Sequence, residues 1–280
     1  MAEIQFYLKV FRDKRQPFLK KEKLLPVEQL KDLPFSLGID SLKIRKSYVQ
    51  YEEFAEGSSE AGSVYFDNLY ASLYNINNTS KTGSTKLRAK ANLFGQGNID
   101  VFVNFPLETK KRSAVSGSIA NFSLPEINTM LTPTTNIKVE SGEMKKLSFN
   151  FSFSEIRSDG EIELNYENLK LVIFKEDEDN RKDYEKDNLK TFIMNTFIFR
   201  TNMDEDVPEE KRTGTVDYIR DNNRSIFNFW VKSLISGIKS AYNLDKAEAK
   251  KIEKEDKKEQ RLSKREARKV KRAEKKKERG

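Results

Sequence analysis

The chain has 280 residues, enough to bury a hydrophobic core, and contains neither cysteine nor histidine. This excludes disulfides, thiol nucleophiles, Ser-His-Asp triads and metal sites built on Cys or His, and it argues against an enzyme. The formal charge is +8, and residues 261–280 supply it with 11 Lys and Arg against 3 Asp and Glu. The first 260 residues are therefore neutral, which gives little support to nucleic-acid binding by the folded body.

The N-terminal part of the chain alternates apolar and polar residues. Every second residue from Ile4 to Val10 is apolar, which predicts a strand over residues 4–11. A short helix with proline in its first turn is predicted over 26–33, two short strand pieces over 37–51, and further strand over 64–66 and 69–76. Because no apolar run reaches about 20 residues and no basic and apolar leader precedes the first strand, we expect neither a membrane-spanning helix nor a secretion signal here.

The clearest alternations lie in the middle of the chain. Residues 87–93 and 99–105 are apolar at every second position and are joined by the hairpin turn 95–98. Residues 116–174 add a strand, a short helical insert at 125–131 and three more strands, of which 147–153 is rich in phenylalanine. The side chains that build one apolar face are Leu87, Ala89, Ala91, Leu93, Ile99, Val101, Val103, Phe105, Phe149, Phe151 and Phe153.

Long strands joined by short turns predict a mainly β protein with an antiparallel sheet. Its apolar face has two interpretations that the alternation cannot separate. In the first, the sheet belongs to a sandwich or is covered by helices, so the face is an ordinary core. In the second, the sheet is long and curved, and its apolar face lines a groove.

The C-terminal part contains an ambiguous segment, a final strand and an amphipathic helix. Residues 189–199 fit a helix or a strand, and 213–219 predict a final strand. Residues 225–242 predict an amphipathic helix with Asn222 and Asn223 as N-cap candidates. This helix either closes the end of the sheet or lies on a membrane surface. The side chains assigned to a membrane contact are Phe227, Trp230, Val231 and Leu234.

Residues 245–280 are mostly Lys, Arg, Glu and Ala, which predicts a charged helix or a disordered tail. The organisation expected is therefore a β domain over 1–221, the amphipathic helix over 222–244 and the basic tail over 245–280.

The sequence contains no marked chemical site. The acidic runs at 177–179 and 204–206 lack the spacing and glycine of a calcium loop, and Gly95-Gln96-Gly97 lacks the further glycine and helix of a nucleotide-binding turn. We therefore predict no catalytic residue, no metal and no cofactor.

Several short motifs occur together in one order along residues 117–170. They are Gly117, Asn128, Leu131 with Pro133, Ser141-Gly142, Phe149 with Phe151, Gly160, and Tyr166-Glu167-Asn168-Leu169-Lys170. In this order and spacing they resemble the C-terminal region of AsmA-like envelope proteins, in particular those of Bacteroidetes. Residues 44–76 and 220–234 also resemble the corresponding parts of that family, so the similarity covers most of residues 1–243 but not the tail.

The resemblance implies a long curved antiparallel sheet that forms an apolar groove, in the periplasm of a diderm bacterium. Relatives are anchored by an N-terminal membrane segment that these residues lack, so the chain would be a C-terminal portion or a shortened relative. The expected function is non-enzymatic: binding acyl chains of phospholipid or another lipid along the groove, for lipid transport or outer-membrane homeostasis. The basic tail would contact an anionic membrane or an envelope protein.

Two other hypotheses remain open. In one, the protein is a structural scaffold or adaptor of an envelope assembly, and its sheet has a closed core. In the other, the tail binds RNA, which predicts a steep loss of affinity with salt.

Overall fold

The computed structural model describes residues 2–16, 22–55, 58–108, 110–134, 137–175, 193–198 and 212–242. The predicted tail, 245–280, and the acidic runs at 177–179 and 204–206 lie outside these ranges. Within them the protein is mainly β, as the sequence predicts, with a long, curved and open sheet of eleven strands. The strands are β1 Ala2–Ile4, β2 Tyr7–Asp13, β3 Gly38–Phe54, β4 Ala61–Asn77, β5 Ser84–Leu93, β6 Gly97–Pro106, β7 Ser113–Ser123, β8 Ile137–Phe153, β9 Arg157–Lys175, β10 Ile193–Ile198 and β11 Arg212–Ile219.

Three helices accompany the sheet in the described ranges: α1 Pro26–Lys31, α2 Asn128–Thr134 and α3 Ile226–Ala241. A 3₁₀ turn, Leu124–Ile127, leads into α2. The N-cap of α3 is Ser225 and not Asn222 or Asn223, because the Ser225 hydroxyl accepts a hydrogen bond from the Asn228 N–H at 3.3 Å. The helix otherwise occupies the predicted segment.

The strands β3 to β9 form an antiparallel meander in which each strand pairs with the next along the chain. The first and the last strand of the meander each pair, along their outer edge, with two short strands placed end to end. On one side β10 and β11 pair antiparallel with the two halves of β9. On the other side β1 and β2 pair with β3 in parallel, a departure from the antiparallel expectation.

The predicted strand 4–11 divides into β1 and β2 because β3 is irregular between their pairing sites. β1 pairs with residues 42–44, β2 pairs with 48–54, and β3 carries a bulge between Ile44 and Ser47. At the break, the Phe6 N–H donates to the Ser47 hydroxyl at 3.0 Å.

Bulges explain the curvature of the sheet. They also explain why separately predicted strand pieces form two long strands. Asn68 and Asn168 have positive φ values at register shifts of β4 and β9, a conformation that asparagine tolerates better than most residues, and Lys46 has a positive φ at the bulge of β3. A bulge bends its strand and increases its twist. The separate strand pieces predicted over 37–51 and over 64–76 are therefore the continuous, bent strands β3 and β4.

All helices of the described chain that pack on the sheet contact its apolar face. α3 lies against β9 and β11, and α2 lies over the start of β4. A β-carbon on Gly62 would come within 2.9 Å of Met130 and 2.8 Å of Thr134, so α2 rests directly on the backbone of β4. Among the residues described, no helix has both the length and the apolarity needed to cross a membrane.

Candidate functional site

The strand register brings the eleven predicted groove residues onto one face of the sheet. In the β5–β6 hairpin Leu87 lies opposite Val103, and Ala89 lies opposite Val101. On β8, Phe149 and Phe151 lie on the same face as Leu147 and Phe153. The strand β7 joins the two groups, because Val103 pairs with Val115 and Val115 pairs with Phe151. The alternation thus identified a continuous apolar face.

Burial divides this face into covered and uncovered parts. Seven of the eleven residues are buried, and four, Leu87, Ala89, Ile99 and Val101, are only half-buried. These four are contiguous, and Leu73 on β4 and Ile119 on β7 extend them as half-buried neighbours in register. We refer to this set as the open strip: Leu73, Leu87, Ala89, Ile99, Val101 and Ile119.

Leu73 and Ile119 were not among the predicted groove residues. The signal for both was present, because each belongs to a predicted strand with period-two alternation. Cross-strand register was needed to place them, since Leu73 pairs with Leu87 and Ile119 pairs with Ile99.

A row of mostly small side chains crosses the open strip, and the Phe149 ring borders it. Ala71, Ala89, Val101 and Gly117 lie in one row across β4 to β7, and Val101 is the largest side chain of that row. The Phe149 ring leans over Gly117, where an added β-carbon would lie 2.7 Å from the Phe149 Cζ atom. The small residues of this row and the Phe149 ring therefore lie side by side on the apolar face.

One end of the apolar face is closed by α3. Trp230 packs on Phe105 and Phe153, with ring centroids 6.4 and 5.9 Å apart. Phe229 packs edge-on against Phe153 at 5.9 Å. The interpretation of residues 225–242 as a helix that closes the end of the sheet therefore describes this contact.

The opposite end is closed by aromatic residues and by α2. Phe94 follows the end of β5 and stacks on Phe122 of β7 at 5.9 Å, and Tyr65 meets Phe94 edge-on at 5.5 Å. α2 contacts β3, β4 and β8 near this end. The open strip thus lies between two covered ends, so the core and groove interpretations each describe part of the face.

The four predicted membrane-contact residues of α3 have different environments. Trp230 and Leu234 are half-buried and pack against the core. Phe227 and Val231, one turn apart, are 71% and 53% exposed. Membrane contact stays a prediction, and the geometry leaves Phe227 and Val231 as the residues available for it.

A compact charged cluster joins α1 to the end of the sheet. Glu28 accepts a hydrogen bond from the Leu25 N–H at 2.8 Å and lies beside Glu155 and Arg220. Burial, together with a hydrogen bond to Glu155, raises the pKa of Glu28. Burial lowers the pKa of the Arg220 guanidinium, which donates to the Lys23 carbonyl. This cluster holds α1 and the loop before it at the end of the sheet, and it lies away from the open strip.

No group of three or more Asp or Glu side chains is placed to hold a metal ion in the part of the chain that the structure describes. Comparison of the chain with models of known protein families, with curated proteins and with solved structures gives no match.

Proposed function

We propose that this protein is a non-enzymatic lipid-handling module that holds acyl chains on the open strip. The observation that carries the proposal is the position of the strip: six apolar side chains, only half-buried, between two ends that the protein covers itself. An apolar surface enclosed in this way is typical of a site that an apolar ligand completes.

The dimensions and energetics suit a hydrocarbon chain. The strip crosses β4 to β7, three strand spacings of about 4.8 Å each, and so about 14 Å. Each methylene group transferred from water to the strip contributes about 0.8 kcal/mol. A headgroup would remain outside, so the site needs no specific polar pocket.

We further propose that the chain belongs with AsmA-like envelope proteins and acts in the periplasm, in phospholipid transport or outer-membrane homeostasis. The ordered motifs from Gly117 to Lys170 support this proposal, and a long curved sheet with an apolar face suits it. Membrane association would come from a segment outside this chain, and the basic tail would contact anionic lipid or an envelope protein.

The test uses the full chain, purified and extracted for mass spectrometry of bound lipid. Ala89→Asp places a charge in the open strip, whereas Ala120→Asp places the same charge on the polar face, opposite Lys146. We expect acyl lipid with the native chain and with Ala120→Asp, and a loss of about tenfold or more with Ala89→Asp.

Equal lipid recovery from both variants, or none from the native chain, would contradict the proposal. Such a result would favour the scaffold hypothesis, in which the sheet serves as a closed core. That hypothesis draws its support from the exposed residues Phe227 and Val231, which would then be contacts for a protein partner.

A further inference from the structure

The polar face of β3 and β5 carries a concentration of positive charge. Lys43 and Arg45 lie on β3, and Lys86, Arg88 and Lys90 lie at alternate positions on β5. Because alternate residues of a strand share a face, the three β5 cations project from the side of the sheet opposite to the open strip. We refer to these five residues as the basic belt.

The belt surrounds a surface depression of about 290 Å³. Its lining includes Lys43 and Arg45 from β3, Tyr70 and Ser72 from β4, and Arg88 and Lys90 from β5. A second depression, of about 430 Å³, adjoins it on β6 and β7, and its lining combines Arg88 with the carboxylate Asp100 and with Ser116 and Ser118. Arg88 borders both, whereas Lys43, Arg45 and Lys90 line only the first, so four belt cations converge on the first depression.

Few carboxylates neutralise the belt within the described residues. Glu3 forms an ion pair with Arg45 at 2.9 Å, and Asp100 lies 3.3 Å from Lys90 and 3.9 Å from Arg88. Lys43 and Lys86 form no ion pair with any described residue. Five cations therefore face two carboxylates, which leaves a surplus of three positive charges.

Each cation of β5 faces an exposed aromatic ring across a strand pair. Tyr74 lies opposite Lys86, Phe102 opposite Arg88, and Tyr70 opposite Lys90. Rings of this kind, interleaved with Lys and Arg, are typical of protein surfaces that settle at the headgroup level of a membrane.

We propose that the basic belt docks the protein on an anionic bilayer, with phospholipid phosphate in the 290 Å³ depression lined by Lys43, Arg45, Arg88 and Lys90. A long polyanion such as RNA fits less well, because the polar face of β9 carries Glu161 and Glu163, which would repel a strand crossing the sheet. This inference goes beyond the proposed function and does not depend on it, since it concerns the opposite face.

The experiment measures flotation of the full chain with vesicles of phosphatidylcholine, with or without an equal share of phosphatidylglycerol, at physiological salt. The belt variant combines Lys43→Gln, Arg88→Gln and Lys90→Gln. The matched control combines Lys81→Gln, Lys138→Gln and Lys146→Gln, three exposed lysines outside the belt with the same change in net charge. Both variants keep the basic tail unchanged.

We expect the belt variant to bind anionic vesicles about a hundredfold more weakly than the native chain, because each cation at an anionic surface strengthens binding about fivefold. The control should weaken binding by no more than about threefold. Neither the belt variant nor the control variant should change the amount of acyl lipid that copurifies. The result is therefore distinguishable from that of the lipid extraction with Ala89→Asp. If the triple variant does not fold, Arg88→Gln alone should weaken binding about fivefold.

Three results would overturn the proposal. Equal weakening in the belt and control variants would assign vesicle binding to net charge or to the tail. Competition by soluble glycerol phosphate at millimolar concentration would assign the belt to a free phosphate compound. RNA binding is measured in the same buffer for the native chain and the belt variant. If the belt variant loses RNA binding while its vesicle binding is unchanged, the basic belt is assigned to a nucleic acid.

Discussion

Gly214 of β11 and Gly237 of α3 bring strand and helix into backbone contact. A β-carbon on Gly214 would overlap the Gly237 carbonyl oxygen and lie 2.8 Å from the Ala241 backbone nitrogen. The three atoms nearest to a β-carbon on Gly237 would be side-chain atoms of Ile162 and Val216, at 3.0 and 3.1 Å. These glycines are what allows α3 to close the end of the apolar face.

The two glycines should respond differently to alanine. Gly214→Ala forces the helix off the strand and should lower the free energy of unfolding by about 3 kcal/mol. Gly237→Ala meets the buried side chains of Ile162 and Val216 but no backbone atom among its nearest contacts, and it gains about 1 kcal/mol of helix propensity, so its loss should be smaller than that of Gly214→Ala by about 1 kcal/mol or more. Urea unfolding measures both, and equal losses would contradict the direct backbone contact.

A second link between helix and sheet is a hydrogen bond between two fully buried hydroxyls. Ser158 and Ser233 lie 2.7 Å apart, and Ser233 donates to the Phe229 carbonyl at 2.8 Å, so Ser158 is the donor between them. Ser233→Ala leaves the Ser158 hydroxyl buried without this acceptor and should destabilise by about 1–3 kcal/mol. Adding Ser158→Ala should recover part of that loss in a double-mutant cycle. Strict additivity would show that the two hydroxyls do not interact.

The edge of β11 is protected by side chains of α3. The Asp217 N–H donates to Ser236 at 3.2 Å, and the Thr215 N–H donates to Ser240 at 3.1 Å. Replacing both serines by alanine leaves two strand N–H groups free to pair with another chain. We expect a stability loss of about 1 kcal/mol and concentration-dependent association, measured by light scattering. As a control, Ser225→Ala removes a cap of the same helix and should destabilise without association.

The stability of the α1 contact should depend on pH through Glu28. Its pKa is raised in the folded protein by burial and by Glu155, so the folded state binds the proton more tightly than the unfolded state. The corresponding stabilisation is present below the ordinary carboxylate pKa and is lost as pH rises through the raised value. Glu28→Gln keeps an acceptor for the Leu25 N–H and has no carboxyl proton to titrate, so it should flatten this dependence.

Urea unfolding at several pH values between 4 and 8 measures this difference. Glu143→Gln changes an exposed carboxylate on β8 and serves as the control. An identical pH profile for the native chain and Glu28→Gln would contradict the role assigned to Glu28.

Leu87 and Leu93 show what alternation in the sequence can and cannot predict. They occupy equivalent positions of one alternating run, and both face the apolar side. Leu87 is half-buried in the open strip, whereas Leu93 is buried near Gly97 and Phe122 at the covered end. Alternation is the same at both positions, so it cannot tell them apart. Periodicity likewise left Trp230 open to closing the sheet or to contacting a membrane, and the structure packs it on Phe105 and Phe153.

The sequence by itself determined which side chains share a face, because a strand alternates its side chains with a period of two whatever lies beyond it. It also determined the mainly β class and the position of α3, which follow from local periodicity. Only the tertiary structure decided which part of the apolar face is covered, where asparagine bulges bend the strands, and how the basic belt assembles from β3 and β5. Those features depend on contacts between residues far apart in the chain, and a local pattern carries no information about them.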